Sequence, residues 1–482
     1  MIIIDVTMDF VDRGAELGVL KDAGSSERSS LVTIYGRRRI GKTDLITRFM
    51  GGIKGSIYYM ATKEEHTKQL RDLSGLVGMA IGDEELIRFG AADWEALFHR
   101  IGSRKASKRL VIAIDEFPYL VKSNAAISSV FQKGWDLYLK DGNVTLILCG
   151  SSISMMHSEV LDYSAPLYHR STSIIEIQPL GVRDALSLNH NMAFAGRIRL
   201  YFMFGGVPAY YAFTEACRNI REALRAIFRP GSAFLEEPST ILSEETRSEA
   251  RYIDLLDLIS NGINRTNEMA SKLGMRPSNV SRYLDVLERI GVVRKSFPVI
   301  GAESRRSKRG VYEIRDNYIR FWFRHVKRNR GTLGSAMTDA FLSRIESEMA
   351  PLEGTAFEGF VAESVPCLAG KGLPAVTKAG RWWGEDPAKP RGMNREEIDV
   401  VGINEETKEI LFAECKWSDS KADLGVYDDL RRKSGLVAWN NGRRREHFAI
   451  FSKAGFTEGL RKAAEKDGVA LFDIAALEKA LG

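Results

Sequence analysis

Apolar runs of strand length punctuate the first 150 residues. They lie at 31–35 (Leu-Val-Thr-Ile-Tyr), 56–61 (Ser-Ile-Tyr-Tyr-Met-Ala), 110–114 (Leu-Val-Ile-Ala-Ile) and 145–149 (Thr-Leu-Ile-Leu-Cys). Short, β-branched and nearly free of charge, such runs predict buried strands. Between them the spacing becomes helical, at 44–50, 94–101 and 130–139. Strands alternating with helices predict a doubly wound parallel sheet, with ligands at the carboxyl ends of its strands.

The pattern then changes. Residues 252–259 give an apolar-faced helix, and Asn261-Gly262 turns the chain. Thr266 is a good N-cap for a helix that Gly274 ends. Pro277 suits the first position of the next helix, whose Val280, Leu284 and Leu287 share a face and which Gly291 stops. Residues 292–295 and 310–314 read as two strands, giving a helix-turn-helix followed by a wing. Helical spacing returns at 341–365, and Arg381-Trp-Trp leads into a Gly/Pro-rich loop at 384–394. Strands at 397–403 and 409–417 are joined by 405–408, and the tail reads strand, helix, strand. The expectation is a multidomain α/β chain with domains at 1–235, 236–335 and 336–482.

A chain of 482 residues exceeds one core, which supports the division. Charged residues at 27% and hydrophobics at 44% indicate a globular protein. No run of eighteen apolar residues appears, so no membrane span is expected. The start, Met-Ile-Ile-Ile-Asp, does not read as a signal peptide. Cys149, Cys217, Cys367 and Cys415 form no C-x-x-C pair, so neither disulfides nor thiolate zinc are expected, and the compartment reads as cytoplasmic. The net charge is +6, yet residues 303–330 hold ten Arg or Lys against three acids, a net of +7. Any polyanion contact should centre there.

The chemistry begins at the first strand. Gly36, Gly41, Lys42 and Thr43 in Gly-Arg-Arg-Arg-Ile-Gly-Lys-Thr satisfy the P-loop pattern. A glycine turn matches that pattern by chance; a strand before it and a helix after it give it meaning. The loop's N–H groups and the helix N-terminus would then bind the phosphates of ATP. Lys42 would reach the β- and γ-phosphates and Thr43 would ligate Mg²⁺. Arg37, Arg38, Arg39, Ile40 and Asp44 complete the loop. The three arginines either add positive field at the nucleotide or face a neighbouring domain. The 110–114 strand ends in Asp115-Glu116. Asp115 would hold the metal and Glu116 would orient or deprotonate the attacking water.

These stretches, with Ile114-Asp-Glu-Phe-Pro-Tyr-Leu, Leu148-Cys-Gly-Ser-Ser-Ile-Ser-Met-Met, Pro166-Leu-Tyr-His-Arg170 and Gly205-Gly-Val-Pro-Ala-Tyr-Tyr, resemble the archaeal ATPase family. Those are P-loop proteins related to the AAA+ and STAND groups. The resemblance implies that Ser151 or Ser152 senses the γ-phosphate and that Arg170 is an arginine finger or sensor. The chain departs from the family's usual glycine at Asp12 and at His169.

In the helix-turn-helix, Ser278, Asn279, Ser281 and Arg282 would face the major groove of double-stranded DNA, and Arg305, Arg306, Lys308 and Arg309 would contact its phosphates. The other reading is a lid or protein contact. In the last segment, pairing Asn404 with Glu409 puts Asp399 opposite Glu414, with Lys416 on the same face. Two carboxylates and a lysine suit a Mg²⁺-dependent phosphodiesterase, with helical Glu358 as a further ligand. The stretch resembles the PD-(D/E)xK nuclease fold, and the archaeal ATPase family commonly ends in such a domain of unassigned activity. E-x-K alternation also occurs on solvated strand faces. Three functions follow: an ATP-driven switch coupled to DNA, a nucleotide-gated scaffold of low turnover with a protein partner or a homo-oligomer, and a switch that also cleaves DNA.

Overall fold

A computed structural model describes residues 11–104, 108–246, 249–301, 310–329, 339–390 and 392–482. The chain divides into two compact units. Among the described residues, 11–179 with 241–246 form the smaller one, and 180–240 with 249 onward form the larger.

In the smaller unit, β1 (Ser30–Tyr35), β2 (Ile57–Met60), β3 (Leu110–Asp115), β4 (Val144–Gly150) and β5 (Ser173–Glu176) make a sheet in the order β2-β3-β4-β1-β5. Every adjacent pair is parallel. Each residue of β1, β3 and β4 is buried. Alternation within the strands separates two apolar layers: Leu110, Ile112 and Ile114 pack with Trp94, Phe98 and Phe131 on one face. Val111 and Ala113 pack with Leu45 and Ile46 on the other. Both faces are thus covered, as a parallel sheet requires. The helix expected over 130–139 is an α-helix, Ile127–Gly134, that passes into a π-helical turn, Trp135–Leu139.

The larger unit contains helices Glu249–Ser260, Thr266–Leu273 and Pro277–Arg289, then an antiparallel hairpin of β6 (Val293–Ser296) and β7 (Val311–Ile314). Thr266 is not a cap: Arg265 holds the N-cap position, with no side-chain hydrogen bond to the helix. Pro277 does open its helix, and Val280, Leu284 and Leu287 are its buried stripe.

A second, mixed sheet runs β12-β11-β10-β9-β8. Its strands are β8 (Lys378–Glu385), β9 (Arg395–Asn404), β10 (Glu409–Lys416), β11 (Arg445–Ser452) and β12 (Ala470–Phe472). β8, β9 and β10 are antiparallel neighbours, and β10, β11 and β12 are parallel. Val299 and Ile300, which follow β6, pack into this sheet's apolar cluster with Trp382 and Ile398. The Val299 N–H donates to the Arg381 carbonyl at 2.9 Å. The segment that follows β6 therefore shares a core with the second sheet. Among the described residues, no helix is long and apolar enough to cross a membrane.

Candidate functional site

β1 delivers the chain to Gly36, whose φ of 151° is open to glycine. A Cβ there would lie 2.5 Å from the Ile177 carbonyl oxygen and 2.6 Å from Ile40 Cδ1. Arg39 and Gly41 also take positive φ, at 65° and 89°, and the helix Lys42–Met50 starts immediately. The loop thus wraps the positive end of a helix, an anion cradle that glycine alone permits at its tightest point. The Lys42 ammonium donates to the carbonyls of Gly36 at 2.9 Å and Arg37 at 2.7 Å. Burial lowers its pKa, against the opposing pull of Cys149, Glu116 and Asp115.

Asp115, at the end of β3, is 2% exposed. Its Oδ2 accepts from Thr43 Oγ1 at 2.7 Å and from the Tyr58 hydroxyl at 2.8 Å; its Oδ1 accepts from the Glu116 N–H at 2.9 Å. Thr43 and Asp115 are thus in contact, a donor set that fits a hard divalent cation binding through one hydroxyl and one carboxylate. Glu116 has φ 54° and ψ 40°, a left-handed conformation at the N-cap of the helix Phe117–Ser123. Strain of this kind concentrates where a side chain must be aimed. Both Glu116 carboxylate oxygens accept from Ser151 Oγ, each at 2.8 Å. Of the two serines after β4, Ser151 therefore touches the expected water-activating acid. The Ser152 hydroxyl instead donates to Glu245 at 3.4 Å.

Residues 241–246 reach this site from a distant part of the chain. Glu244 forms an ion pair with Arg38, whose guanidinium also donates to the Tyr119 hydroxyl at 3.2 Å. Glu245 accepts from the Ile153 N–H at 2.8 Å and the Ser154 N–H at 3.1 Å. Arg170 donates to Asp136 at 3.2 Å and to the Tyr168 carbonyl at 2.9 Å, and makes no hydrogen bond to the P-loop among the described residues. Asp12 and His169, where the resemblance leads one to expect glycine, take φ of 62° and 61°. Each keeps glycine's conformation with a residue type that tolerates it better than most.

Residues 10–195 match a family described as an ATPase domain predominantly from Archaea. Residues 322–425 match a family of archaeal and bacterial proteins of unknown function. An uncharacterized protein of Methanocaldococcus jannaschii is 32% identical over 448 residues, covering 92% of this chain and 95% of the relative. The chain belongs to this family of archaeal P-loop ATPases. A second uncharacterized protein of that organism is 34% identical over 106 residues, covering 22% of this chain and 100% of the relative. The Walker-type ATPase of Pyrococcus abyssi has a similar fold, with TM-score 0.50 at 17% identity, over 66% of this chain and 96% of that one.

The chain carries a second cluster of charge on β9 and β10. Asn404 pairs with Glu409, and the ladder runs to Val400 opposite Ala413. It stops one step before Asp399 and Glu414, because Asp399 Oδ2 takes the Cys415 N–H at 2.8 Å. Glu414 bonds Lys416 at 2.9 Å through Oε1, while its Oε2 is buried with no hydrogen bond. Burial, then the charges of Glu414 and Glu358, push the Asp399 pKa up to about 7. Glu358 is held by Arg381 at 3.4 Å. Among the described residues, no three or more His, Cys, Asp or Glu side chains are grouped to hold a metal ion. Glu358, expected as a further ligand, has its Oε2 buried with no hydrogen bond, like that of Glu414, and facing Arg381. Lys433, not singled out in the sequence, is paired with Asp429 at 2.8 Å; against the effect of burial that bond, and then the charges of Glu414 and Asp399, raise its pKa.

On the helix Pro277–Arg289, Ser278, Asn279 and Arg282 are exposed and Ser281 is half-buried. Arg305, Arg306, Lys308 and Arg309 lie outside the described residues. Tyr58, Glu244 and Glu245 are the site residues that sequence reasoning missed. Tyr58 sits in a strand recognised as such, but nothing local shows its hydroxyl meeting Asp115. Glu244 and Glu245 give no signal, being separated from Arg38 by about two hundred residues of sequence.

Proposed function

We propose that the protein is a Mg²⁺-dependent ATP-driven switch that engages double-stranded DNA. The observation that carries this reading is the convergence of Lys42, Thr43, Asp115, Glu116 and Ser151 in bonded contacts at the carboxyl ends of β1, β3 and β4. Bound magnesium, held by Thr43 and Asp115, would supply charge that stabilises the phosphoryl oxygens. Lys42 exchanges its loop carbonyls for phosphate oxygens. Tyr58 fixes the orientation of Asp115. Glu116 holds the attacking water and accepts its proton at a carboxylate oxygen, and Ser151 keeps that carboxylate in place. We assign Arg170 to holding its own loop against Asp136, with a trans role reserved for an oligomer.

In this reading the chain has three functional parts, 1–235, 236–335 and 336–482. Residues 249–314 are a winged helix whose Ser278, Asn279, Ser281 and Arg282 face the groove, with Arg305, Arg306, Lys308 and Arg309 on the backbone. The exposure of Ser278, Asn279 and Arg282 beside a buried apolar stripe supports it. Residues 241–246 give the nucleotide site a route to these parts: Glu244 and Glu245 hold the P-loop and the loop after β4, and the chain continues directly into the helix Glu249–Ser260.

ATP turnover with and without duplex DNA tests the coupling. Stimulation by duplex that charge reversal at Arg305, Arg306, Lys308 and Arg309 removes is the expected result. Turnover indifferent to duplex would favour the low-turnover scaffold with a protein partner. A nuclease-like reading of the second sheet is favoured by one observation, the unpartnered Glu414 Oε2 beside Asp399 and Lys416. A divalent cation would fit that oxygen, and Mg²⁺-dependent nicking lost in Asp399→Ala is its test.

A further inference from the structure

The basic segment that the sequence directs at polyanions is partly turned inward. The helix Asn317–Phe321 runs into a π-helical turn, Trp322–Val326, a feature frequent at functional sites. With the helices Phe194–Phe204 and Asp339–Ser364 it borders a cavity of about 90 Å³ that opens to solvent. Phe202, Phe321, Met349 and Leu352 make the apolar side. Arg320, Arg324, His325 and Glu353 make the polar side.

The charges on that polar side do not cancel. Glu353 is already engaged, accepting from Arg199 Nε at 2.6 Å and Trp417 Nε1 at 2.8 Å. Arg320 donates to Asn317 at 3.1 Å and has no carboxylate at ion-pair distance among the described residues. Arg324, one helical turn on, makes no hydrogen bond or ion pair among the described residues, and its buried Nε lacks a partner. The His325 side chain is 4% exposed; its Nδ1 is also unpartnered, and Glu348 at 3.8 Å is beyond hydrogen-bond reach. Burial, with Arg324 and Arg328 adding to it, lowers the His325 pKa to about 4, so the imidazole is neutral near pH 7.

Arg320 and Arg324 are half-buried, and although Glu313, Asp316 and Glu363 act on Arg320 from a distance, neither guanidinium has a carboxylate at ion-pair distance among the described residues. That is costly to keep, and a chain that needed only packing would not place two beside Phe, Met and Leu. Such a cavity, apolar with a few convergent polar groups, is the form of a small-molecule site. We propose that it binds a small organic anion: a carboxylate, sulfonate or phosphate group on Arg320 and Arg324, within reach of His325, and a ring-sized apolar body against Phe202, Phe321, Met349 and Leu352. The fork of a guanidinium fits the planar, bidentate carboxylate best. The assignment is independent of the ATP and DNA readings.

The test uses the full chain carrying Lys42→Ala, which removes anion binding at the P-loop, and phenylacetate as the probe, with 2-phenylethanol as its neutral counterpart. Calorimetry and saturation-transfer NMR should show saturable phenylacetate binding and none by the alcohol. Arg324→Gln should weaken phenylacetate at least about tenfold, and Arg320→Gln similarly. Those residues are half-buried and pack against apolar neighbours, so the first comparison stands without any change to them: no saturable binding of phenylacetate, or equal binding of the alcohol, overturns the proposal. Undiminished binding by folded Arg324→Gln also overturns it. So does displacement of the probe by a duplex oligonucleotide that loses affinity in the same variant, because the arginines would then belong to a nucleic-acid surface.

Discussion

Two acidic clusters of this molecule look alike in sequence, each with carboxylates carried by a buried strand, and the structure treats them in opposite ways. At the end of β3, Asp115 accepts three hydrogen bonds, from Thr43, Tyr58 and the Glu116 N–H, and Glu116 is held by Ser151. In the second sheet, Asp399, Glu414 and Glu358 lie near one another, the Asp399 pKa rises to about 7 and a Glu414 oxygen has no partner. The first cluster is organised by the chain alone. The second carries negative charge that the chain only partly offsets through Lys416 and Arg381. Donors surrounding an acid, more than the acid itself, distinguish a prepared site from a strained one.

The largest effect that would break this comparison is at the first cluster. Lys42→Ala should lower ATP turnover by about 10³-fold or more, measured as phosphate release, since it removes the charge that the loop holds in place. A folded variant with normal turnover would mean that the loop does not serve ATP. Glu116→Gln comes next: ATP binding should persist while turnover drops by about 10²–10³-fold.

The second cluster is sharpened by pH. Asp399 has a folded-state pKa above its unfolded value of roughly 4. The folded chain keeps a proton that the unfolded chain releases, so this contribution to stability is complete below about pH 4 and is lost as pH rises toward about 7. Asp399→Asn should therefore stabilise the chain at pH 8 by about 2 kcal/mol in metal-free buffer, with the gain vanishing near pH 4. Denaturant unfolding at both pH values measures this. A destabilised variant at pH 8 would show that the Cys415 N–H bond outweighs the repulsion. The smallest effect is at Arg170. With its guanidinium on Asp136, Arg170→Ala should change turnover by less than about threefold; a loss of about a hundredfold would restore it as an arginine finger.

Much of the smaller unit was legible because its physics is local. Apolar runs at 31–35, 110–114 and 145–149 became β1, β3 and β4, and the expected succession of strand, glycine loop and helix is present at β1, Gly36 to Gly41 and Lys42–Met50. β5 escaped because Ser-Ile-Ile-Glu is a short edge strand with Ile174 facing outward. β8 escaped because Arg-Trp-Trp beside a Gly/Pro-rich loop carries little strand pattern. The β9–β10 register followed from the loop at 405–408, but its last step did not, since a side chain took the place of a backbone partner. Tyr58, Glu244 and Glu245 were invisible for the same reason: each meets the site through the fold, with no periodicity to announce it. The inward turn of Arg320 and Arg324 is a further case, where charge counted along the chain did not reveal which face the charge occupies.

The most direct measurement is single-turnover ATP hydrolysis by the wild-type chain and Glu116→Gln, with bound nucleotide identified after quenching. The account predicts that the wild type converts its ATP to ADP while Glu116→Gln retains ATP uncleaved at comparable affinity. Conversion at the wild-type rate in Glu116→Gln would contradict the claim that the carboxylate held by Ser151 activates water for this ATPase.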